Sequence, residues 1–169
     1  MSMNIVLCGM MGCGKTTVGG ALAARLGWDF VDTDRLIEEK HGKIADIFAQ
    51  KGEAYFRALE TEEAALLADG GADRVVSVGG GMALKVENVR LLKQGGRIVY
   101  LQASKETLLG RLLGDTSRPL LAGQDLSARL DELLAVRSSA YERASDLTVC
   151  VDEKTPASIA DEIIEKLGL

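Results

Sequence analysis

The sequence predicts a three-layer α/β domain, a five-stranded parallel sheet held between layers of helices. Three observations carry that expectation. Short apolar runs alternate with helical segments from one end of the chain to the other, the pattern of a parallel sheet covered on both faces. A glycine-rich loop, Gly9-Met10-Met11-Gly12-Cys13-Gly14-Lys15-Thr16, stands between the first strand and the first helix. The length of 169 residues with 47% hydrophobic content suits one domain with a real core.

The elements follow in order. The apolar run Ile5-Val6-Leu7-Cys8 marks a strand over 4–8. A helix is expected over 15–26, stopped by Gly27. A second strand is expected over 28–31, with Trp28 and Phe30 in the core. Helices over 33–41, 43–50 and 52–68 come next, more helix than a simple crossover needs. His41, the single histidine, ends the first of them beside Gly42 and reads as a capping or surface residue. Val75-Val76-Ser77-Val78 marks a strand over 74–78 that runs into Gly79-Gly80-Gly81. The remaining elements are a helix over 85–94, a strand over 97–101, helices over 104–113 and 126–144, a strand over 147–151 and a helix over 155–167. Crossovers are expected to be right-handed, with ligands beyond the carboxyl ends of the strands. Residues 114–125, bounded by glycines, read either as a surface loop or as a flap that excludes water.

The loop fixes the ligand class. Glycines let the chain curl so that successive backbone N–H groups point into one hollow. The positive end of the following helix faces the same hollow. Lys15 is placed to reach the β and γ phosphates of a nucleoside triphosphate, and Thr16 to offer its hydroxyl to magnesium. Strand, loop and helix together predict the P-loop NTPase fold.

Composition excludes other classes. The net charge is −5 and no polybasic run is present, which argues against a nucleic-acid surface. No apolar run has transmembrane length. Cys8, Cys13 and Cys150 form no metal or CxxC spacing and point to a reducing cytoplasm. Cys13 reads either as a mildly activated thiol at a helix N-terminus or as a small residue filling the loop.

Four further groups carry candidate chemistry. Asp32-Thr33-Asp34 follows the second strand; its acids can reach magnesium or accept a hydroxyl proton, or else Thr33 or Asp32 caps the next helix. Gly79-Gly80-Gly81 either brings backbone N–H donors close to a ligand or makes a flexible turn. No Asp ends this strand, so a magnesium-linked acid falls to Asp32. Arg137 lies on the apolar stripe Leu126, Leu130, Leu134, Tyr141 and Ala144 and needs either an internal acid or a substrate carboxylate. By spacing alone, Glu53, Arg57 and Glu60 form a solvated ion-pair face. Arg118, beside Pro119, reads as solvent-exposed or as an arginine that meets phosphate oxygens.

These residues together resemble the shikimate kinase family over essentially the whole chain. The resemblance rests on GMMGCGKTTVG at 9–19, FVDTD at 30–34, IADIFAQKGEAYFRALE at 44–60, SVGGGM at 77–82, RPLL at 118–121 and RSSAYERA at 137–144. It implies a nucleoside monophosphate kinase-like fold and ATP-dependent phosphorylation of the 3-hydroxyl of shikimate, in aromatic amino-acid biosynthesis. It implies that Gly12, Cys13, Gly14, Lys15, Thr16 and Thr17 hold ATP phosphates, with Arg111 and the Val151–Pro156 segment, Pro156 above all, nearer the adenine. Mg2+ would be bound by Thr16 and reached through water by Asp32. Asp34 would meet the shikimate hydroxyls, Arg57 and Arg137 its carboxylate, and Gly79, Gly80, Gly81 and Phe56 would line its pocket. Glu53 and Glu60 would steady Arg57. Lys15, Asp34 and Arg118 would be the catalytic set. The expected domain spans 1–169, with a substrate-binding insertion at about 32–70 and a lid at about 112–125. A cytoplasmic monomer with shikimate as its small-molecule partner completes the expectation. The family's basic residue is replaced at Gly20. Gluconate and nucleoside monophosphate kinases fit the DTD, FR and RPLL combination less well. A guanine-reading NKxD is missing, which disfavours a GTPase switch.

Overall fold

The computed structural model describes residues 2–114 and 125–169. Arg118, the RPLL segment and residues 115–124 of the expected lid lie outside the described residues.

Five strands pair in parallel: β1 (Asn4–Cys8), β2 (Asp29–Asp32), β3 (Arg74–Ser77), β4 (Gly96–Gln102) and β5 (Leu147–Cys150). Their order is β2-β3-β1-β4-β5. Every residue of β1 is buried, as a strand covered on both faces must be. Ile5, Val6, Leu7, Val75, Val76, Ile98, Val99 and Leu101 have no exposed surface and form the centre of the core. Each stabilises the fold by about 1.5–3 kcal/mol. Because β1 lies between β3 and β4, the chain changes direction across the sheet at its carboxyl end. That is where a ligand crevice opens in such sheets.

The helices are α1 (Lys15–Leu26), α2 (Thr33–His41), α3 (Ile44–Lys51), α4 (Glu53–Ala68), α5 (Val86–Gly95), α6 (Lys105–Leu113), α7 (Leu126–Ala144) and α8 (Pro156–Leu167), with a 3-10 turn at Met82–Leu84. Helix α1 packs on α8, and α4 packs on α5. Several helices start one residue later than the sequence predicts. In each case the extra residue is the N-cap: Lys43, Gly52, Lys85, Ser104 or Thr155. The 3-10 turn was not foreseen, being only three residues long. His41 ends α2 on the surface.

Trp28 and Phe30 were expected in the core and lie half-buried at its rim. Phe30 packs against α1 at Gly19. A Cβ at Gly19 would stand 2.4 Å from its Cε2, so the absent side chain lets the helix close on β2. Helices α2, α3 and α4 form a separate small core of Ile37, Ile47, Phe56 and Leu59. That cluster is distinct from the one under the sheet.

Candidate active site

The loop after β1 curls through left-handed glycines, with φ of 82° at Gly12 and 98° at Gly14. Gly14 is the N-cap of α1, so the helix's unpaired N–H groups open onto the loop. Lys15 folds back on the loop. Its Nζ donates to the Gly9 carbonyl at 2.9 Å and the Met10 carbonyl at 3.2 Å. The ammonium is thus held over the hollow by the loop's own backbone. Cys13 is completely buried, as a small residue filling the loop is. Arg111 reaches across from α6 and donates to the Gly12 carbonyl at 3.1 Å.

A cleft of about 470 Å³ opens from this loop. Gly12, Gly14, Lys15, Thr16, Thr17, Asp32, Asp34, Gly79, Gly80, Arg111 and Pro156 all line it. The two readings of Asp32 prove compatible. Its Oδ1 caps α2, accepting from the N–H groups of Asp34 at 3.0 Å and Arg35 at 3.2 Å, while the residue still lines the cleft. Lys154 also lines it, its ammonium 2.8 Å from Glu162. Lys154 lies within the Val151–Pro156 segment that the resemblance sets near the adenine, though no spacing singled it out there. It reaches the cleft only because β5 and α8 bring their connection alongside the loop.

Gly79, Gly80 and Gly81 each make room for a different side chain. A Cβ at Gly79 would lie 2.6 Å from Asp34 Oδ1 and 3.0 Å from Glu60 Oε2. At Gly80 it would lie 3.0 Å from an Arg137 guanidinium nitrogen, and at Gly81 closer still to the Arg57 guanidinium. None of the three has a left-handed φ, so they are needed for space, not for conformation. The flexible-turn reading falls, because the run is pinned on two sides. Thr33 Oγ1 accepts from the Gly79 N–H at 3.3 Å, and the Tyr141 hydroxyl donates to the Gly80 carbonyl. The expectation that all three glycines offer N–H donors is corrected at Gly79, whose N–H is taken. Among the described residues the N–H groups of Gly80 and Gly81 have no acceptor.

The charged groups around this run are coupled. Burial pushes the Asp34 carboxyl above its ordinary value, and the neighbouring Asp32 charge adds to the rise. Glu60 is almost fully buried. Burial raises its carboxyl too, outweighing the opposing pull of Arg57, its partner at 2.7 Å. Burial works against the Arg57 charge, but the bonds to Glu60 and Glu53 overcome it and hold the guanidinium above its ordinary value. The solvated-face expectation for Glu53, Arg57 and Glu60 is therefore half right. Glu53 is 66% exposed, Glu60 1%, because α5 and the glycine run cover one side of α4. Spacing shows which residues share a helix face but not what later chain segment covers it.

Phe56 lies in the small core under α2–α4. The Arg57 guanidinium carbon sits 5.4 Å from its ring centroid, within cation–π range. Phe56 thus backs Arg57. Cys13, Phe56, Arg57, Gly81 and Arg137 do not line the 470 Å³ cleft itself; Arg137 stands behind Gly80 on its wall, and Arg57 beside the adjoining Gly81. Among the described residues Arg137 has no carboxylate within ion-pair distance. Thr33 and Tyr141 were missed as site residues. Thr33 was read only as a cap and Tyr141 only as one apolar position on a stripe.

A model of the family described as "Shikimate kinase" matches residues 11–168. A shikimate kinase of Symbiobacterium thermophilum is 46% identical over 168 residues, covering 98% of this chain and 96% of that one. A shikimate kinase of Sulfurihydrogenibium sp. is 45% identical, covering 97% of each. The solved shikimate kinase from Acinetobacter baumannii in complex with shikimate superposes with a TM-score of 0.90 at 36% identity, covering 99% of this chain and 93% of that one. The fold agrees with these likenesses, and the chain belongs to the shikimate kinase family.

Proposed function

We propose that this chain transfers the γ-phosphoryl group of ATP to the 3-hydroxyl of shikimate, in aromatic amino-acid biosynthesis. The observation that carries the reading is the glycine run. It leaves room for the Asp34 carboxylate in a phosphate-loop cleft and for the Arg57 and Arg137 guanidinium groups beside it, with buried Glu60 behind Asp34 and Arg57, a set that suits a hydroxylated carboxylic acid. The full reading also draws on relatives of the same name at 45–46% identity.

The residues divide the work. Gly12, Cys13, Gly14, Thr16 and Thr17 hold the phosphates through backbone and hydroxyl donors. Lys15 leaves the loop carbonyls for the β and γ phosphates. Arg111 and Pro156 bound the nucleotide side. Arg57 and Arg137 take the shikimate carboxylate, and the N–H groups of Gly80 and Gly81 add donors. That clamp aims one hydroxyl at the γ phosphorus, the main task in a loose transition state. Asp34 accepts the hydroxyl's hydrogen bond and receives its proton as the new P–O bond forms. Arg118 meets the transferred group.

Thr16 and Asp32 line one cleft with oxygen donors, which suits magnesium. When bound, magnesium offsets the phosphate charge. The three helices α2–α4 with their own small core serve as the acceptor-binding insertion. Every group in this scheme comes from one chain, which supports a monomer. Three free cysteines and no described helix long and apolar enough to cross a membrane support a cytoplasmic enzyme.

The test is ADP release from ATP and magnesium with shikimate, gluconate, AMP or no acceptor, with the product identified by phosphorus NMR. Turnover with shikimate alone, giving a phosphate monoester, is expected. Turnover only with another acceptor would reassign the pocket.

A further inference from the structure

Tyr141 is fully buried in the last turn of α7. Its ring packs against Tyr100, centroids 5.2 Å apart, which by itself would make it an ordinary core residue. Its hydroxyl tells against that reading. It donates to the carbonyl of Gly80, a residue that lines the cleft. The same hydroxyl lies 3.6 Å from the point where a Gly80 Cβ would stand, and an Arg137 guanidinium nitrogen lies 3.0 Å from that point. One phenol therefore touches the glycine run and flanks the arginine four residues earlier on its own helix.

The planar peptide gives this contact a consequence. The Gly80 carbonyl and the Gly81 N–H belong to one trans amide and point in opposite directions. Fixing the carbonyl fixes the N–H. A three-glycine segment is otherwise free to rotate that amide. We infer that Tyr141 is a positioning residue for the acceptor's carboxylate: its hydroxyl sets the Gly80–Gly81 amide and the adjoining Arg137 as one preformed anion-binding unit. The inference rests on the shikimate reading of this site. Burial pushes the phenol up to about 12 against the opposing Arg137 charge, so it remains a donor across the working pH range.

The experiment compares Tyr141→Phe with Tyr100→Phe. Both keep the stacked rings and each removes one buried hydroxyl, but only the first removes the bond to Gly80. KM for shikimate and for ATP, kcat and thermal midpoint are measured for each. Tyr141→Phe is expected to raise the shikimate KM about five- to tenfold, as loss of one oriented hydrogen-bonded unit implies. ATP KM and kcat should stay within about twofold. Tyr100→Phe should leave the shikimate KM unchanged whatever it does to the midpoint. An unchanged shikimate KM in Tyr141→Phe would overturn the inference. So would equal rises in both variants, a parallel rise in ATP KM, or a Tyr141→Phe chain that no longer folds. If the unaltered enzyme does not phosphorylate shikimate, the functional reading itself fails, and that outcome is read separately from the variants.

Discussion

Asp34 and Glu60 turn toward the same bare face of Gly79 buried carboxylate oxygens that have no hydrogen-bond partner among the described residues. The Asp34 charge adds to the burial that raises the Glu60 carboxyl, while Asp34 is itself raised by burial and by Asp32. The arrangement is costly to the fold and useful to the chemistry, which separates the expected effects of substitution.

Asp34→Asn should reduce kcat by about 10²–10⁴-fold, the usual scale of a lost proton acceptor, while ATP still binds. Turnover near that of the unaltered enzyme would remove Asp34 from its role. Titration calorimetry with ATP or a non-hydrolysable analogue checks the retained binding.

The same variant should unfold at a higher temperature at neutral pH. The folded Asp34 carboxyl is raised above its unfolded value, so the native state binds the proton more tightly. Stability from this group is full below the unfolded carboxyl range and is lost as pH rises through the raised value. Asparagine carries no such loss. The gain in midpoint should vanish in acid below the ordinary carboxyl range, and calorimetry across pH measures it. In the unaltered enzyme, kcat/KM should fall on acidification at a pH above the ordinary aspartate range, for the same reason.

Arg57→Ala and Gly81→Ala should both weaken shikimate binding but differ in stability. Removing Arg57 deletes a charge-assisted contact and strands buried Glu60, so shikimate KM should rise at least about tenfold with a loss of about 1–3 kcal/mol of stability. Alanine at 81 pushes against the far end of the Arg57 side chain, which can move aside. It should raise KM comparably and leave the denaturation midpoint nearly unchanged. Equal shikimate KM in Gly81→Ala and the unaltered enzyme would show that Arg57 is not held in position by that glycine.

The successive glycines of α1 should behave oppositely. Gly20 is exposed, and a Cβ there meets nothing within 4 Å; Gly20→Ala should stabilise by about 0.5–1 kcal/mol. At Gly19 the added methyl collides with the Phe30 ring, and Gly19→Ala should destabilise by about 1–3 kcal/mol. Urea unfolding of the two variants decides both.

The sheet, the phosphate loop and α1 were legible because their signals are local: an apolar run, glycines at fixed spacing, Lys-Thr at the helix start. The acceptor side was less legible. Residues alone assigned Arg57 to a solvated face, since α4 does not record that Glu60 will be covered by chain more than fifteen residues later. Resemblance to a family corrected that reading; periodicity did not. The glycine run was read as donors or a turn, while its main task is to leave space for Asp34, Glu60, Arg137 and Arg57. Space left for distant partners has no local signature. Thr33 and Tyr141 escaped for the same reason, their bonds to Gly79 and Gly80 spanning 46 and 61 residues.

The small core beneath α2–α4 has a bearing on how such a chain changes through descent. Ile37, Ile47, Phe56 and Leu59 pack with one another and apart from the cluster under the sheet. Substitutions in the two clusters should combine additively, as they do for sites without shared partners. A lineage can therefore alter which molecule receives the phosphoryl group while leaving the phosphate loop undisturbed, and the two halves of the enzyme are free to vary at separate rates.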